Sequence, residues 1–204
     1  YSGTQKYSTV WTGDNHSIWP HLQLLIPQLC NLGISGFTFA GTDIAGFGSD
    51  ATPELLTRWI EAAIFSPLLR NHSAMGTRAQ EPWAFGEPTL SIYRKFLKLR
   101  YRFIPYLYDL FAKESKNGLP LMRPLVLNYE DDPRVRNIND QYLVGDAILV
   151  APIVQPSQTK RLVYLPAGKW IDFWNHREYE GQQDIVVDAP LDKLPMFNKK
   201  GTIL

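Results

Sequence analysis

Apolar and polar residues follow two different patterns along this chain. Up to about residue 118, short apolar runs of strand type alternate with longer stretches in which apolar residues recur at helical spacing. Beyond residue 118, short apolar runs are separated by prolines, several of them alternate with polar residues, and helical periodicity is absent. The pattern therefore predicts two structural units, residues 1–118 and residues 119–204.

The first unit is predicted to repeat a strand, a loop and a helix about three times. Ser17 and Thr52 are candidate N-caps, Pro53 suits the first turn of a helix, and Asn117-Gly118 suits a helix end. The predicted helices span 17–32, 53–65 and 88–116, the last with a kink at Pro105. The predicted strands span 6–10, 34–40 and 67–70.

Strand, loop and helix repeated in this order are typical of a parallel α/β barrel, which keeps its active site in the loops after the strands. A barrel needs eight such units, so residues 1–118 are predicted to be its C-terminal part. The chain also starts without a methionine and stops inside an apolar run. Both features indicate a piece of a longer polypeptide.

The second unit is predicted to be an antiparallel β-sandwich, truncated at its end. Its predicted strands span 125–127, 141–144, 147–150, 161–165, 170–174 and 184–187. The fold class predicted from the sequence is therefore α/β plus β. It consists of the C-terminal portion of a (β/α)8 TIM barrel, followed by an antiparallel β-sandwich.

Composition narrows the function classes. With 45% hydrophobic and 20% charged residues the chain has the composition of a soluble globular protein, and its net charge of +1 gives no electrostatic basis for binding nucleic acid or a membrane. No apolar run reaches membrane-spanning length, and no signal peptide is visible. Cys30 stands alone, which predicts a buried apolar residue and excludes a disulfide framework or a thiolate metal site. Neither a metal nor a cofactor is predicted.

The most informative stretch is Trp-Thr-Gly-Asp-Asn at 11–15, directly after the first predicted strand. Asp14 lies between an asparagine and a glycine, and the glycine lets a ligand approach the backbone closely. Trp11 offers an apolar face on which a sugar ring can stack. This arrangement suits a carboxyl group that exchanges a proton with a sugar. Taken alone, Gly-Asp-Asn is also an ordinary turn sequence.

Two further polar clusters follow the second and third predicted strands. Asp43, in Gly-Thr-Asp-Ile-Ala-Gly-Phe at 41–47, could accept sugar hydroxyls, orient a neighbouring group or simply cap a loop. His72, in Arg-Asn-His at 70–72, suits a sugar hydroxyl, although a lone loop histidine is more often structural or solvated. Aromatic residues that could form pocket walls, or simply pack in the core, are Phe39, Phe47, Trp83 and Phe85.

Together these segments resemble glycoside hydrolase family 31, the α-glucosidase and α-xylosidase family. In the family's order and spacing the chain carries Trp-Thr-Gly-Asp-Asn at 11–15, Gly-Thr-Asp-Ile-Ala-Gly-Phe at 41–47, Phe-Ser-Pro-Leu-Leu-Arg-Asn-His at 65–72 and Gly-Thr-Arg-Ala-Gln-Glu-Pro-Trp at 76–83. Residues 100–108 resemble its last barrel helix, while 140–146, 150–152 and 165–170 resemble its C-terminal sandwich. The resemblance covers nearly the whole chain, and so many ordered motifs are highly specific.

The resemblance implies roles for the candidate site residues. Asp14 becomes the general acid/base. The family retains anomeric configuration, its nucleophile is a second aspartate on an earlier strand, and a substrate-binding arginine would fall just before Tyr1. Because retaining chemistry needs two carboxyl groups about 5–5.5 Å apart across the bond, Asp14 and Asp43 are not assigned as that pair. The residues predicted to bind the substrate are Trp11, Asp43, Phe47, Arg70 and His72.

The predicted function is that of a fragment of a retaining α-glycosidase that hydrolyses terminal α-glucosides from oligosaccharides. Its partner is then an α-linked oligosaccharide or glycoside, and a homo-oligomer stays open. The isolated 204 residues are expected to be inactive, since the nucleophile and the rest of the barrel are missing. The alternatives are a non-catalytic carbohydrate-binding or scaffold fragment, and an α-xylosidase, transglycosidase or α-glucan lyase of the same fold.

Two formal N-glycosylation sequons, at 15–17 and 71–73, lie inside the proposed active site. A glycan there would block the substrate, so both are interpreted as chance matches. This interpretation favours a cytoplasmic location, and secretion stays open because the sequence lacks its original N-terminus.

Overall fold

Two short parallel strands and three helices build the first part of the molecule. The computed structural model describes residues 3–202. In chain order the elements are β1 (Val10–Trp11), α1 (Trp19–Ile34), β2 (Ala40–Gly41), α2 (Pro53–Ala63) and α3 (Thr89–Asn117). Single-turn 3₁₀ helices lie at Thr4–Lys6 and Pro82–Phe85. This alternation confirms the α/β class predicted for this part.

The strands of this part are shorter than predicted. β1 and β2 pair in parallel, with Val10 opposite Ala40, and the third predicted strand contributes a single parallel bridge between Asp43 and Arg70. The prediction of a strand at 6–10 was wrong over most of its length because the N–H groups of Tyr7 and Ser8 bond back to Thr4 and strand pairing starts only at Val10. The prediction at 34–40 was wrong because α1 extends to residue 34 and strand pairing starts only at Ala40.

Helix ends follow their local sequence signals with one exception. The Thr52 side chain accepts a hydrogen bond from the Leu55 backbone N–H at 3.2 Å, and Gly118 ends α3 in the left-handed conformation with φ 73°. Ser17 is not the cap of α1, which starts two residues later after Ile18. The Ser17 hydroxyl instead donates to the backbone carbonyl of Ser49 at 3.1 Å, which ties the loop after β1 to the loop after β2.

An antiparallel sheet and a two-stranded ribbon build the second part. The strands are β3 (Met122–Arg123), β4 (Tyr142–Val144), β5 (Ile148–Val150), β6 (Lys160–Leu165), β7 (Lys169–Asp172), β8 (Glu178–Glu180), β9 (Gln183–Asp188) and β10 (Met196–Lys199). The sheet has six strands in the order β3-β4-β5-β10-β7-β8, and β6 pairs with β9 in the ribbon. This arrangement confirms the antiparallel β class. The strand predicted at 125–127 is instead a one-turn helix, α4 (Leu125–Asn128), which begins after Pro124.

The strands β4, β5 and β10 of the six-stranded sheet are buried on both faces. Successive residues of a strand point to opposite sides. Along β4, Tyr142 and Val144 enter the main core, which runs from Leu22 in α1 to Met196 in β10, while Leu143 enters a smaller core beneath the β6–β9 ribbon. β5 and β10 alternate in the same way. The barrel helices and the sheet therefore share one core across residue 118.

Polar contacts reinforce this shared core. The Tyr142 hydroxyl donates to the carbonyl of Ala62 at 2.9 Å, at the end of α2. Arg58, also in α2, donates from Nη2 to the carbonyls of Gln158 and Ala189 at 2.9 and 2.8 Å. Helix α2 is thereby fixed to loops of the second part as well as to the barrel part.

Cys30 is buried in the main core, as its isolation in the sequence predicted. Burial raises the pKa of its thiol to about 12, so Cys30 packs as a small apolar residue. Within the described residues, every helix falls short of the length or the apolar character that crossing a membrane requires.

Candidate active site

The loops that follow the three parallel segments meet at one edge of the barrel part. The Thr12 N–H donates to the carbonyl of Gly41 at 3.1 Å, which extends the pairing of β1 and β2 into their loops. The Phe47 N–H donates to the carbonyl of Asn15 at 2.6 Å, and the Ala74 N–H donates to the carbonyl of Phe47 at 2.8 Å. Backbone hydrogen bonds therefore join all three loops that carry predicted site residues.

Asp14 lies at the tip of a tight turn after β1. Gly13 adopts φ 86°, a conformation that favours glycine, and the Asn15 N–H closes the turn on the Gly13 carbonyl at 3.0 Å. The Thr12 hydroxyl donates to Asn15 Oδ1 at 2.7 Å, and Asn15 is buried whereas Asp14 is exposed. The turn therefore presents the Asp14 carboxyl to solvent on a backbone that its neighbours hold in place.

Asp43 has the opposite surroundings. Its side chain is fully buried, and Oδ1 accepts a hydrogen bond from Nε of Arg70 at 2.5 Å. Its second oxygen, Oδ2, is buried without a hydrogen-bond partner among residues 3–202. The Arg70 guanidinium carbon in turn lies 5.4 Å from the ring centroid of Trp11, within cation–π range. A buried carboxylate thus anchors an arginine that reaches the exposed tryptophan.

His72 and Phe47 form a second contact between the loops. Their ring centroids lie 5.1 Å apart with an interplanar angle of 37°. His72 is exposed and Phe47 half-buried, so the phenyl ring supports one side of the imidazole while the other side stays open. The structure therefore brings Trp11 together with Arg70 and Asp43, and Phe47 together with His72.

Two of the aromatic residues considered as pocket walls lie elsewhere. Phe39 precedes β2, at the end of the strand opposite to the site loops, and packs edge-to-face on Phe111 of α3 at 5.1 Å. Trp83 lines a groove along α3 with Leu90 and Leu97. Of the two interpretations open for Phe39, packing is therefore the one observed, since strand direction carries it away from the loop tips, and Trp83 lines the α3 groove.

Gln80 lies in the motif at 76–83, but the sequence alone predicted no role for it. Gln80 is buried, and its Nε2 donates to the carbonyls of Ile44 and Gly46 at 3.2 and 3.0 Å. The side chain of Asn71 donates to the Gln80 carbonyl at 2.8 Å. The sequence feature that points to such a residue is the long loop at 71–86, because backbone groups buried in a long loop need hydrogen-bond partners.

The site's donor set suits sugar hydroxyls better than a metal ion. It offers carboxylates, a guanidinium and an imidazole beside aromatic faces. Within residues 3–202, no group of three or more His, Cys, Asp or Glu side chains is arranged to hold a metal ion. Asn15 of the first sequon is buried and bonded to Thr12, so a glycan does not fit at that asparagine.

Comparison with known proteins identifies the family. Residues 1–110 match the glycosyl hydrolases family 31 TIM-barrel domain, and residues 118–204 match the glycosyl hydrolase family 31 C-terminal domain. The chain belongs to glycosyl hydrolase family 31. The two matches confirm the resemblance to family 31 over nearly the whole of this chain. They also confirm the predicted fold, a partial TIM barrel followed by an antiparallel β-sheet domain.

Relatives of this family 31 chain differ in activity. It is 48% identical to Alpha-glucosidase 2 of Bacillus thermoamyloliquefaciens over 204 residues, which are 100% of this chain and 26% of the relative. The structure of a Flavobacterium johnsoniae family 31 dextranase complexed with glucose matches with a TM-score of 0.95 and 41% identity, over 100% of this chain and 26% of the dextranase. A soil-metagenome family 31 α-xylosidase complexed with xylose matches with a TM-score of 0.89 and 33% identity, over 94% of this chain and 32% of the xylosidase. The chain thus spans about a quarter to a third of the length of these proteins.

Proposed function

We propose that this chain supplies the acid/base side of the active site of a retaining α-glycosidase that hydrolyses terminal α-glucosides from oligosaccharides. The observation that carries the proposal is the meeting of three family 31 loops at one edge, where backbone hydrogen bonds join the loop of the exposed Asp14 to the loops of the Asp43–Arg70 pair. The nucleophile would come from an earlier strand of the complete barrel, as the family resemblance implies. Residues 1–204 alone would then be inactive.

Asp14 is proposed to move the proton in both steps of the reaction. In the first step its carboxyl group protonates the glycosidic oxygen, while the nucleophile displaces the leaving group and forms a glycosyl–enzyme bond. In the second step the Asp14 carboxylate takes a proton from water, whose oxygen attacks the anomeric carbon and releases the nucleophile. An exposed carboxyl on a turn held by backbone contacts is suited to both steps.

Asp43 is proposed to act mainly through Arg70. Its buried carboxylate fixes the guanidinium at Nε, which leaves the remaining guanidinium N–H groups free to donate to sugar hydroxyls. Trp11 packs beside the same guanidinium and can stack on the sugar ring. His72, supported by Phe47, is proposed to bind a further hydroxyl. A direct contact between Asp43 and the sugar stays a prediction.

Glucosides are proposed as substrates over xylosides on the basis of similarity. The Bacillus α-glucosidase shares 48% identity with this chain and the dextranase 41%, against 33% for the α-xylosidase. The same dextranase, as a mutant, has been solved complexed with isomaltotriose. These relatives support an α-linked glucose unit in the cleaved subsite.

The test uses the full-length protein that contains these residues, with a matched pair of substrates. Hydrolysis of 4-nitrophenyl α-glucoside is compared with that of the α-xyloside, and proton NMR identifies which anomer of the sugar is released first. An Asp14→Ala variant prepared in the same way controls for contaminating glycosidases. We expect preference for the glucoside and α-glucose as the first product. Preference for the xyloside would overturn the proposed glucoside specificity. Release of β-glucose as the first product would overturn the proposed retaining mechanism.

A further inference from the structure

The turn that follows Asp43 is held in an unfavourable backbone conformation. Ala45 adopts φ 67° and Gly46 φ 91°, so two successive residues lie in the left-handed region. A residue with a β-carbon is uncommon there, and such conformations persist only where the surroundings enforce them. Ala45 is also completely buried, so water does not stabilise its turn.

Gln80 holds this turn from the third loop. Its Nε2 donates to the carbonyls on both sides of Ala45, those of Ile44 at 3.2 Å and Gly46 at 3.0 Å. Two further acceptors, Asn71 Oδ1 and the carbonyl of His72, lie 3.4 and 3.5 Å from the same nitrogen. Because every one of these neighbours is an acceptor, a side chain at this position must carry N–H donors.

The clamped turn packs directly against the loop that carries Asp14. A β-carbon at Gly46 would lie 2.5 Å from backbone atoms of His16 and Ser17, so the two backbones are in the closest contact that glycine permits. The Phe47 N–H, next along the chain, donates to the carbonyl of Asn15. A shift of the 43–47 turn therefore moves both the Asp43–Arg70 pair and the backbone beside Asp14.

We propose that Gln80 is a positioning residue, which clamps the turn after Asp43 to the Arg70–His72 segment and so sets the relative positions of the acid/base loop and the sugar-binding side chains. The proposal rests on the proposed function for its effect on turnover. The clamp itself is a property of the fold, and it can be measured without a substrate.

The test replaces Gln80 by methionine in the full-length protein. Methionine keeps the length and volume of glutamine but donates no hydrogen bond. Gln155→Met, at an exposed position between β5 and β6, is the matched control. Hydrogen–deuterium exchange follows the peptides covering 43–48 and 70–75, whose amides of Ile44, Phe47 and Ala74 bridge the loops. Exchange over 142–150 reports on the sheet.

We expect Gln80→Met to accelerate exchange of the Ile44, Phe47 and Ala74 amides at least ~10-fold while exchange over 142–150 is unchanged. We expect kcat/KM for the α-glucoside to fall by about 100-fold, with a higher KM and a lower kcat, because a misplacement of about 1 Å has that effect.

Unchanged exchange at the bridging amides, or a uniform rise that includes the sheet, would overturn the clamp. Local loosening without loss of kcat/KM would overturn its role in positioning. If the wild type cleaved no α-glycoside, the proposed function would fail, and the exchange measurement would still decide the clamp.

Discussion

Asp14 and Asp43 each follow a parallel strand, yet the fold gives them opposite surroundings. Asp14 is exposed on a turn, whereas Asp43 is fully buried and paired with Arg70. An exposed carboxyl group can reach a substrate and water, while a buried carboxylate that accepts a hydrogen bond from a guanidinium fixes the position of its partner. The two aspartates therefore suit different tasks in one site.

A double-mutant cycle tests whether Asp43 acts through Arg70. We expect Asp43→Asn and Arg70→Gln, each in the full-length protein, to lower kcat/KM for an α-glucoside by about 100-fold, since both release the guanidinium from its position. The double variant should lose little more than either single variant, because the two residues act as a unit. Asp50→Asn, at an exposed aspartate of the same loop, is the control. Losses that multiply in the double variant would show that Asp43 contacts the sugar independently.

Among single residues, the sequence predicted which loops meet but not how deeply each side chain is buried. Asp14, Asp43 and His72 each follow a predicted strand within a family motif, and Arg70 is the last residue of such a strand. The depth of Asp43 could not be predicted, since it depends on packing between loops far apart in the chain. The role of Gln80 could not be predicted for the same reason. Its hydrogen-bond acceptors are backbone carbonyls, which every residue type has, so they leave no pattern in the sequence.

Among the elements, helix α2 carries a buried ion pair whose arginine also fixes the helix to the second part of the chain. Arg58 Nη1 donates to Glu61 Oε2 at 2.9 Å, and both side chains are almost completely buried. The same guanidinium donates to carbonyls of Gln158 and Ala189. Burial raises the pKa of Glu61 to about 8, and the Arg58 charge acts in the opposite direction.

Loss of Arg58 should therefore destabilise the protein in a pH-dependent way. We expect Arg58→Ala to lower the free energy of unfolding by about 3–5 kcal/mol, because Glu61 and the carbonyls of Gln158 and Ala189 all lose their buried hydrogen-bond donor. A raised pKa in the folded state means that the fold holds a proton that the unfolded chain releases, so stability falls as pH rises. This slope should be steeper in the variant, since the charge that lowered the Glu61 pKa is gone.

Urea unfolding of the full-length protein at pH 6 and pH 9 provides the measurement. Arg94→Ala, at an exposed position on α3, is the control and should differ little from the wild type at either pH. An Arg58→Ala variant as stable at pH 9 as at pH 6 would contradict the account of Glu61.

Element by element, local signals located helix ends better than strands. Thr52 and Gly118 end their helices through contacts with residues close by in the sequence, so the sequence predicted both helix ends. Ser17 failed as a cap because its hydroxyl bonds to a loop that lies distant in the sequence. Strand β3 was missed because it has two residues, β8 because the charged Glu178–Glu180 carries no apolar pattern, and β10 because only its first two residues are apolar. The run at 125–127 was ambiguous, since a short apolar segment suits a helix as well as a strand.

At the scale of the whole molecule, the sheet and the barrel helices stabilise each other. The sheet covers the helices with one face and the β6–β9 ribbon with the other, and its strands are apolar at nearly every buried position. The change in pattern near residue 118 predicted a new class of structure. It did not predict that a single hydrophobic core includes residues from both sides of residue 118. Which apolar faces pack together depends on residues far apart in the chain, so no local sequence pattern reports it.

This shared core supports the edge at which the site loops meet. Helix α2 begins in the loop after Asp43 and packs into the main core, and α3 follows the loop that carries Gln80. Backbone positions at the site therefore depend on packing throughout the described residues, while the chemistry depends on the few side chains at the loop tips. Among these side chains, Asp14 is the one proposed to move the proton.

Azide rescue of Asp14→Asn in the full-length protein tests that claim most directly. Loss of general acid catalysis should lower turnover of an α-linked oligosaccharide by about 10²–10⁴-fold, and turnover of 4-nitrophenyl α-glucoside by less, since 4-nitrophenolate leaves without a proton. Azide, which needs no base to attack, should restore turnover of the aryl glucoside and yield α-glucosyl azide. Asp109→Asn, on the exposed face of α3, should match the wild type and form no azide product. Equal loss on both substrates with no glucosyl azide would contradict the assignment of Asp14.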